Sequence, residues 1–471
     1  MMWTALAALR SLAVASTIVT CPAGANCTAI LQSAIDAGGD FTVAGNFTVL
    51  PIFLRSSGQT ITFAPGSSVV AQAGAFHGLG DCLFSADGVE ELTIIGYGAT
   101  WAMRRHDYNG SSAYNHSEWR HALSIMSSDS IVVRGLHISE TGGDGVYLAL
   151  VSSVELRDVT TDGAYRNGLS IISASGLVVA GCRFLNTAGT PPQAGIDIEP
   201  NHVKPGRRPE RLERVVLRDI EARRNLGAGL SFSISKLTGA DALDIVVDGA
   251  VIEGAAETQA GADALLYNIG VYVGGKSSPN ASSPGRIRVR NVTVTDTAQP
   301  GLEVFGKMVD GAVVTLERLR LERVARSPAV RWGGLNVPVL LHESSGGDRV
   351  GGLLFDACDV KPPPLRLAVL LPNMATLPCS FLPSCLLRLL PHPGAARLLH
   401  AAQPPRCRTG GGRRGAAVSA MRFVRLERER NKHLGHFCGT KRTRLHDGPG
   451  PVAPKCEPAG DLQSKHACDG S

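Results

Sequence analysis

Asp197 and Glu199 stand two residues apart in the segment Gly195-Ile-Asp-Ile-Glu-Pro200. In an extended chain alternate side chains point the same way, so these carboxylates share one face at roughly 7 Å. Two carboxylates about 6.5–9.5 Å apart leave room for a water in inverting glycoside hydrolysis. A tighter acidic cluster can instead hold Ca²⁺, which acidifies the proton beside a uronate carboxylate in a lyase reaction. Asp144 opens a similar segment, Asp144-Gly-Val-Tyr147, and is a candidate third acid. Tyr147 and Tyr272 offer flat faces to sugar rings, and Arg166 with Asn167 can pair with a uronate carboxylate or hydroxyls. Pro200-Asn201 makes the turn that sets Glu199 against a long loop, and Asn201 joins the sugar-binding candidates. Acids on a solvated strand face are also ordinary surface residues, and that alternative stands beside the chemical one.

These residues must be positioned by short strands, because residues 90–335 repeat themselves. One half of the repeat is an alternating strand, as in Ile131-Val-Val-Arg-Gly135, Val154-Glu-Leu-Arg-Asp158 and Ile287-Arg-Val-Arg-Asn291. The other half is a small residue followed by apolar-x-apolar: Gly145-Val-Tyr-Leu148, Gly168-Leu-Ser-Ile171, Gly195-Ile-Asp-Ile198 and their copies. The unit recurs every 23 residues where it is shortest, at Val133, Leu156 and Val179. Strands this short cannot each bury a face alone, but stacked coils can. Helical solenoids are excluded because no helical period runs through the repeat, and leucine-rich repeats lack their consensus here. A parallel β-helix remains. Its middle residues form one column: Ser124, Tyr147, Ser170, Asp197, Ser231, Tyr272, Glu303 and Arg331. If the flanking apolar residues point inward, this column faces outward.

Long connections gather beside that face. Residues 100–121, with Trp101, Arg104, Arg105, His106, Tyr108, Tyr114, His116, Trp119 and His121, and residues 199–213, 253–268 and 274–286 would wall a groove. The histidines of the first have no regular ligand spacing, so no metal site is assigned there, and calcium remains one option for the acids. Lys204, Arg207 and Arg208 read as a solvated basic loop or, alternatively, a lyase base or carboxylate clamp. His137 reads as a stacked face residue. No P-loop, dinucleotide fingerprint, G-x-S-x-G or HExxH occurs.

Ahead of the coils, Thr28–Ala37 has apolar positions at helical spacing, Thr28 as a candidate N-cap and Gly38 as terminator. A short helix there covers the open end of a solenoid. With this helix, the coils and the series Gly-Asp-Gly-Val-Tyr-Leu148, Arg-Asn-Gly-Leu-Ser-Ile171 and Ala-Gly-Ile-Asp-Ile-Glu-Pro-Asn201, residues 28–360 resemble the right-handed parallel β-helix proteins of the pectin-lyase-like superfamily. The resemblance implies an all-β, single-stranded right-handed solenoid. It leaves the reaction open, because that superfamily includes lyases, glycoside hydrolases, epimerases, esterases and non-catalytic adhesins. The NTDG, DD, GHG and RIK series of polygalacturonases and the vWiDH segment of pectate lyases are missing, which disfavours those two activities.

The termini differ from this middle. Residues 1–20 read as a signal peptide, with Ala13-Val14-Ala15 as the cleavage pattern and Arg10 interrupting the apolar run. Sequons at Asn26, Asn46, Asn109, Asn115, Asn280 and Asn291 support a secreted or cell-surface protein, and Cys21 and Cys27 can pair there. Cys182 and Cys358 read as buried thiols. The net charge of +6 averages −6 over residues 1–360 and +12 over residues 361–471. That last stretch holds 14 of 27 prolines and 6 of 11 cysteines, which sets it apart from the repeats. It reads as a disordered basic tail, a processed segment or a gene-model artefact, and its apolar run Leu367–Leu387 is too interrupted by proline for a membrane span. The acidic repeat domain gives no support for nucleic-acid binding. Two functions fit: a monomeric secreted enzyme acting on a polysaccharide, a uronate-containing one included, or a non-catalytic β-helix that binds glycan or matrix.

Overall fold

The computed structural model describes residues 17–110, 113–201, 210–237, 243–255, 262–274, 285–305, 312–327, 336–342 and 353–361. Among the described residues, ten short strands from Ile52–Leu54 to Val339–His342 stack into one sheet, and the other strands join a second sheet of nineteen. Neighbouring strands come from successive coils and run parallel. Val133 lies opposite Leu156, and Leu156 opposite Val179, so one coil takes 23 residues there. Leu217, Val247, Val289 and Leu316 extend the same column through longer coils. All seven are buried in one continuous apolar core. Each contributes about 1.5–3 kcal/mol by leaving water.

One corner of every coil requires left-handed backbone. Gly135, Asp158, Gly181, Asp219, Gly249, Asn291 and Arg318 occupy it, with φ between 51° and 84°. Gly, Asn and Asp enter that region at the least cost, and they hold six of these seven corners, Arg318 being the exception. A second constraint acts before the site strands. A Cβ on Gly168 would lie 2.6 Å from the Gly195 carbonyl oxygen and 2.8 Å from the Phe184 Cβ. The small residue of the repeat is the space through which adjacent coils approach.

The helix Thr28–Asp36 buries Leu31 and Ile35 against the core. Thr28 is not its cap. Cys27 holds that position without a side-chain bond, and the Thr28 hydroxyl instead accepts the Leu50 N–H at 2.7 Å, tying helix to coil. Cys21 and Cys27 are disulfide-bonded, with their Cα atoms 5.8 Å apart. Thr17–Thr20, the last four residues of the span read as a signal peptide, form a strand that pairs with Phe41–Ala44. Cys182 and Cys358 are buried, and burial pushes the Cys182 thiol up to about 12. No helix among the described residues is long and apolar enough to cross a membrane. Residues 1–16 and 362–471 lie outside the described residues, and with them most of the expected leader and the basic tail.

Two expectations change. Trp101 is a core residue, because Thr100–Ala102 is a strand paired on both sides; its ring stacks on Phe84 at 4.0 Å and meets Phe63 edge-on at 5.2 Å. Arg331 lies outside the described residues, and Leu340 takes the place opposite Glu303.

The corner generates a test. Gly249 has φ +84, and an added Cβ would meet the Asp219 carboxylate at 3.1 Å. Gly249→Val should lower stability by about 1–2 kcal/mol in urea unfolding, whereas Gly249→Asn should stay within about 0.5 kcal/mol of wild type.

Candidate active site

Coil register assembles the expected column. Ser124, Tyr147, Ser170, Asp197, Ser231, Tyr272 and Glu303 each lie opposite the next. The column is not, however, a solvated face. Ser124, Ser170, Asp197, Ser231 and Glu303 are all 4% exposed or less. Coil connections lie over it. The His121 ring stacks on Tyr147 at 4.7 Å and 9°, and the 3-10 turn Ile234–Lys236 brings Lys236 to Glu199.

Immediately before the strands, three side chains form a ladder across coils. His121 Nδ1 accepts the Asp144 N–H at 3.0 Å. Asp144 Oδ1 accepts the Asn167 N–H at 3.0 Å, and Asn167 Oδ1 accepts the Ala194 N–H at 2.9 Å. His121, Asp144 and Asn167 are separated by 23 residues each and stand directly before the small residue of the repeat. That signal was present in the sequence, although only the acid and the asparagine had been singled out, and as groups facing substrate. In the fold, Asn167 is fully buried, and its amide also donates to Ser170 Oγ at 3.0 Å and to Asp197 Oδ2 at 3.5 Å. Both ends of the amide are used inside the coil.

Arg166 is likewise engaged by the protein itself. Its guanidinium lies 3.2 Å from Glu199, 3.6 Å from Asp144 and 3.6 Å from Glu118, with its side chain 13% exposed. Lys236 takes the other Glu199 oxygen at 3.2 Å. Burial opposes the Arg166 charge, but Asp144, Asp197, Glu118 and Glu199 outweigh it and raise its pKa. One guanidinium does not hold all these acids ionised. Burial pushes Asp197 up to about 7, with Glu199 and Asp144 adding to the rise against Arg166 and the Ser231 hydroxyl. Burial pushes Asp144 up to about 6, against Arg166, Ser170 and the Asn167 N–H. Burial, helped by Arg166, drives His121 down to about 3, so the ring is neutral and accepts at Nδ1. Burial and the Asp144 charge raise the Tyr147 phenol. Asp197 Oδ1 and Asp144 Oδ2 are buried without a hydrogen-bond donor.

The acids Asp144, Asp197 and Glu199 therefore converge on Arg166, with Tyr147 beside them. Tyr272 is half-buried two coils away along the column. Asn201 is exposed, and its backbone N–H donates to the Glu210 carboxylate. Glu118 and Lys236 had no sequence signal, since their approach depends on how coil connections fold back. Within residues 100–121, Arg104 pairs with Asp107, Arg105 with Glu140, and His116 with Tyr165. Arg120 is fully buried, donating to the Phe76 carbonyl at 2.8 Å between the Tyr108 and Tyr114 rings. Lys204, Arg207 and Arg208 lie outside the described residues. Among the described residues, no group of three or more His, Cys, Asp or Glu is arranged to hold a metal ion.

The raised acids set a pH dependence. A carboxyl with a higher pKa folded than unfolded stabilises fully below its unfolded value and loses that contribution as pH rises through the folded one. For Asp144 and Asp197 this window runs from about 4 to about 7. Urea unfolding should show the protein more stable at pH 5 than at pH 8, and Asp197→Asn should remove on the order of 2 kcal/mol of that difference. Arg166→Met should cost about 3–5 kcal/mol at pH 8 and distinctly less at pH 5, where its acid partners can take up protons.

No protein-family model matches the sequence. No curated protein matches it either. Among solved structures, endo-xylogalacturonan hydrolase from Aspergillus tubingensis matches with a TM-score of 0.51 at 12% identity, over 74% of this chain and 93% of that one. The Yersinia enterocolitica family 28 exopolygalacturonase matches with a TM-score of 0.46 at 12% identity, over 74% of this chain and 79% of that one. The first of these likenesses, with the parallel coils described above, supports one conclusion: this chain has the right-handed parallel β-helix fold of pectin-lyase-like proteins.

Proposed function

We propose that the protein cleaves glycosidic bonds of a polysaccharide, with Asp197 as the proton donor and Glu199 as its partner carboxylate. The observation that carries this reading is Asp197 itself, a buried carboxyl that keeps its proton to near neutral pH beside a second carboxylate, Glu199, just past the end of its strand Ile196–Ile198. Protonating a leaving-group oxygen needs an acid of this kind, and a nearby carboxylate can activate a water or attack the sugar. Asp144 tunes Asp197 by its charge, Arg166 holds the acids in place, and Tyr147 with Tyr272 lines the face. The Cys21–Cys27 disulfide suits an oxidising compartment, in keeping with secretion and an extracellular substrate.

In this conformation Asp144 and Asp197 are 0% and 1% exposed, so turnover requires the covering segments to part. The same burial favours a second reading, in which the cluster is an internal polar brace of a β-helix that binds glycan without cleaving it.

Digestion of a glycan panel separates the readings. Wild type should release reducing ends without the ultraviolet absorbance of an unsaturated sugar end, and Asp197→Asn and Glu199→Gln should each lose about 10²–10⁴-fold in rate. Unsaturated ends would make the protein a lyase. Equal turnover by wild type and both variants would remove the site assignment. Glycan binding by wild type with no product from any substrate would establish the second reading.

A further inference from the structure

The expected uronate partner drew on Arg166 with Asn167 and on Lys204, Arg207 and Arg208; the last three lie outside the described residues, and Arg166 is engaged by the protein's own acids. Resting on the reading of this cluster as a glycan site, we propose that the sugar it takes is neutral, a hydroxyl-bearing unit without a carboxylate.

The charge inventory carries this furthest. Glu118, Asp144, Asp197 and Glu199 surround Arg166, and the charge of Glu210 reaches Tyr147. The cations that the described residues bring to these acids are Arg166 and Lys236, and both are paired with protein carboxylates at 3.2 Å. A uronate entering here would lose its hydration, meet acids of its own sign and find these two cations occupied. Bringing like charges together in a desolvated site costs several kcal/mol.

Hydrogen-bond polarity points the same way. Asp197 Oδ1 has no protein partner within hydrogen-bond distance, and Asp144 Oδ2 faces Arg166 Nη1 at 3.6 Å. A sugar hydroxyl both donates and accepts, so it can meet Asp197 in either protonation state, whereas an ionised carboxylate can only accept. Trp119, next in the chain to Glu118, is 49% exposed and is an apolar ring open to a ligand. Stacking on such a face suits an uncharged sugar ring.

The test uses one polymer in two charge states. Polygalacturonate and its fully methyl-esterified form are compared with a neutral galactan on the full-length protein at pH 7 and low salt, with binding read by affinity gel electrophoresis and cleavage by reducing ends. The ester and the galactan should be retained at least about tenfold more strongly than the polyuronate, and added salt should narrow the gap. Glu118→Gln should narrow it as well. Equal or tighter binding of the polyuronate overturns the proposal, as does a gap that neither salt nor Glu118→Gln changes. Cleavage with uronate preference would defeat this inference and leave the enzymatic reading standing. Neutral-glycan binding without cleavage of any polymer would do the reverse, and retention of none of the three would defeat both.

Discussion

Parallel register between coils is the constraint on which the molecule depends. Each strand bonds to its counterpart in the next coil, so equivalent residues stand about 4.8 Å apart along a column. Inside, this aligns Val133, Leu156, Val179 and Leu217 into a continuous core. At the turn before the site strands, the same alignment lets His121, Asp144 and Asn167 each accept a backbone N–H from the following coil. The ladder satisfies buried backbone groups that the turn would otherwise leave bare. It also fixes one oxygen of Asp144 and the tautomer of His121.

Burial then decides what the polar column can do. On the opposite sheet, charges are arranged as open ladders, such as Arg134 and Arg157 on Glu155, at 2.9 and 3.0 Å with substantial exposure. Pairs of that kind contribute about 0–1 kcal/mol each. Around Arg166 the same chemistry is desolvated, and acids outnumber the cations they contact. The difference appears as protons retained on Asp144 and Asp197. Asp144 and Asp197 are thus held above the usual carboxylate range because they are buried among other acids.

Much of this was legible from residues alone. The 23-residue spacing, the small residue before each site strand and the Gly, Asp or Asn at the corner each have a local backbone cause, so the column was readable through Glu303. Its continuation was not. Ala329-Val-Arg-Trp332 resembles a repeat strand, yet Val339–His342 pairs with the Glu303 strand. Trp101 read as part of a groove wall because its neighbours are polar and basic, while its own alternation places it in the core. Arg166 and Asn167 read as free hands for a ligand, since nothing in a turn segment reveals that Glu118, Glu199 and Ala194 will come to meet them.

The sequence by itself determined the solenoid and which residues share a column, because both follow from period-two alternation and a repeat length that local backbone geometry enforces. Only the tertiary structure decided that the column is covered, that Arg166 belongs to the protein's own acids, and that Asp197 holds its proton. Those properties depend on desolvation and on charges carried by connections far apart in the chain. Neither quantity is written in the spacing of a repeat.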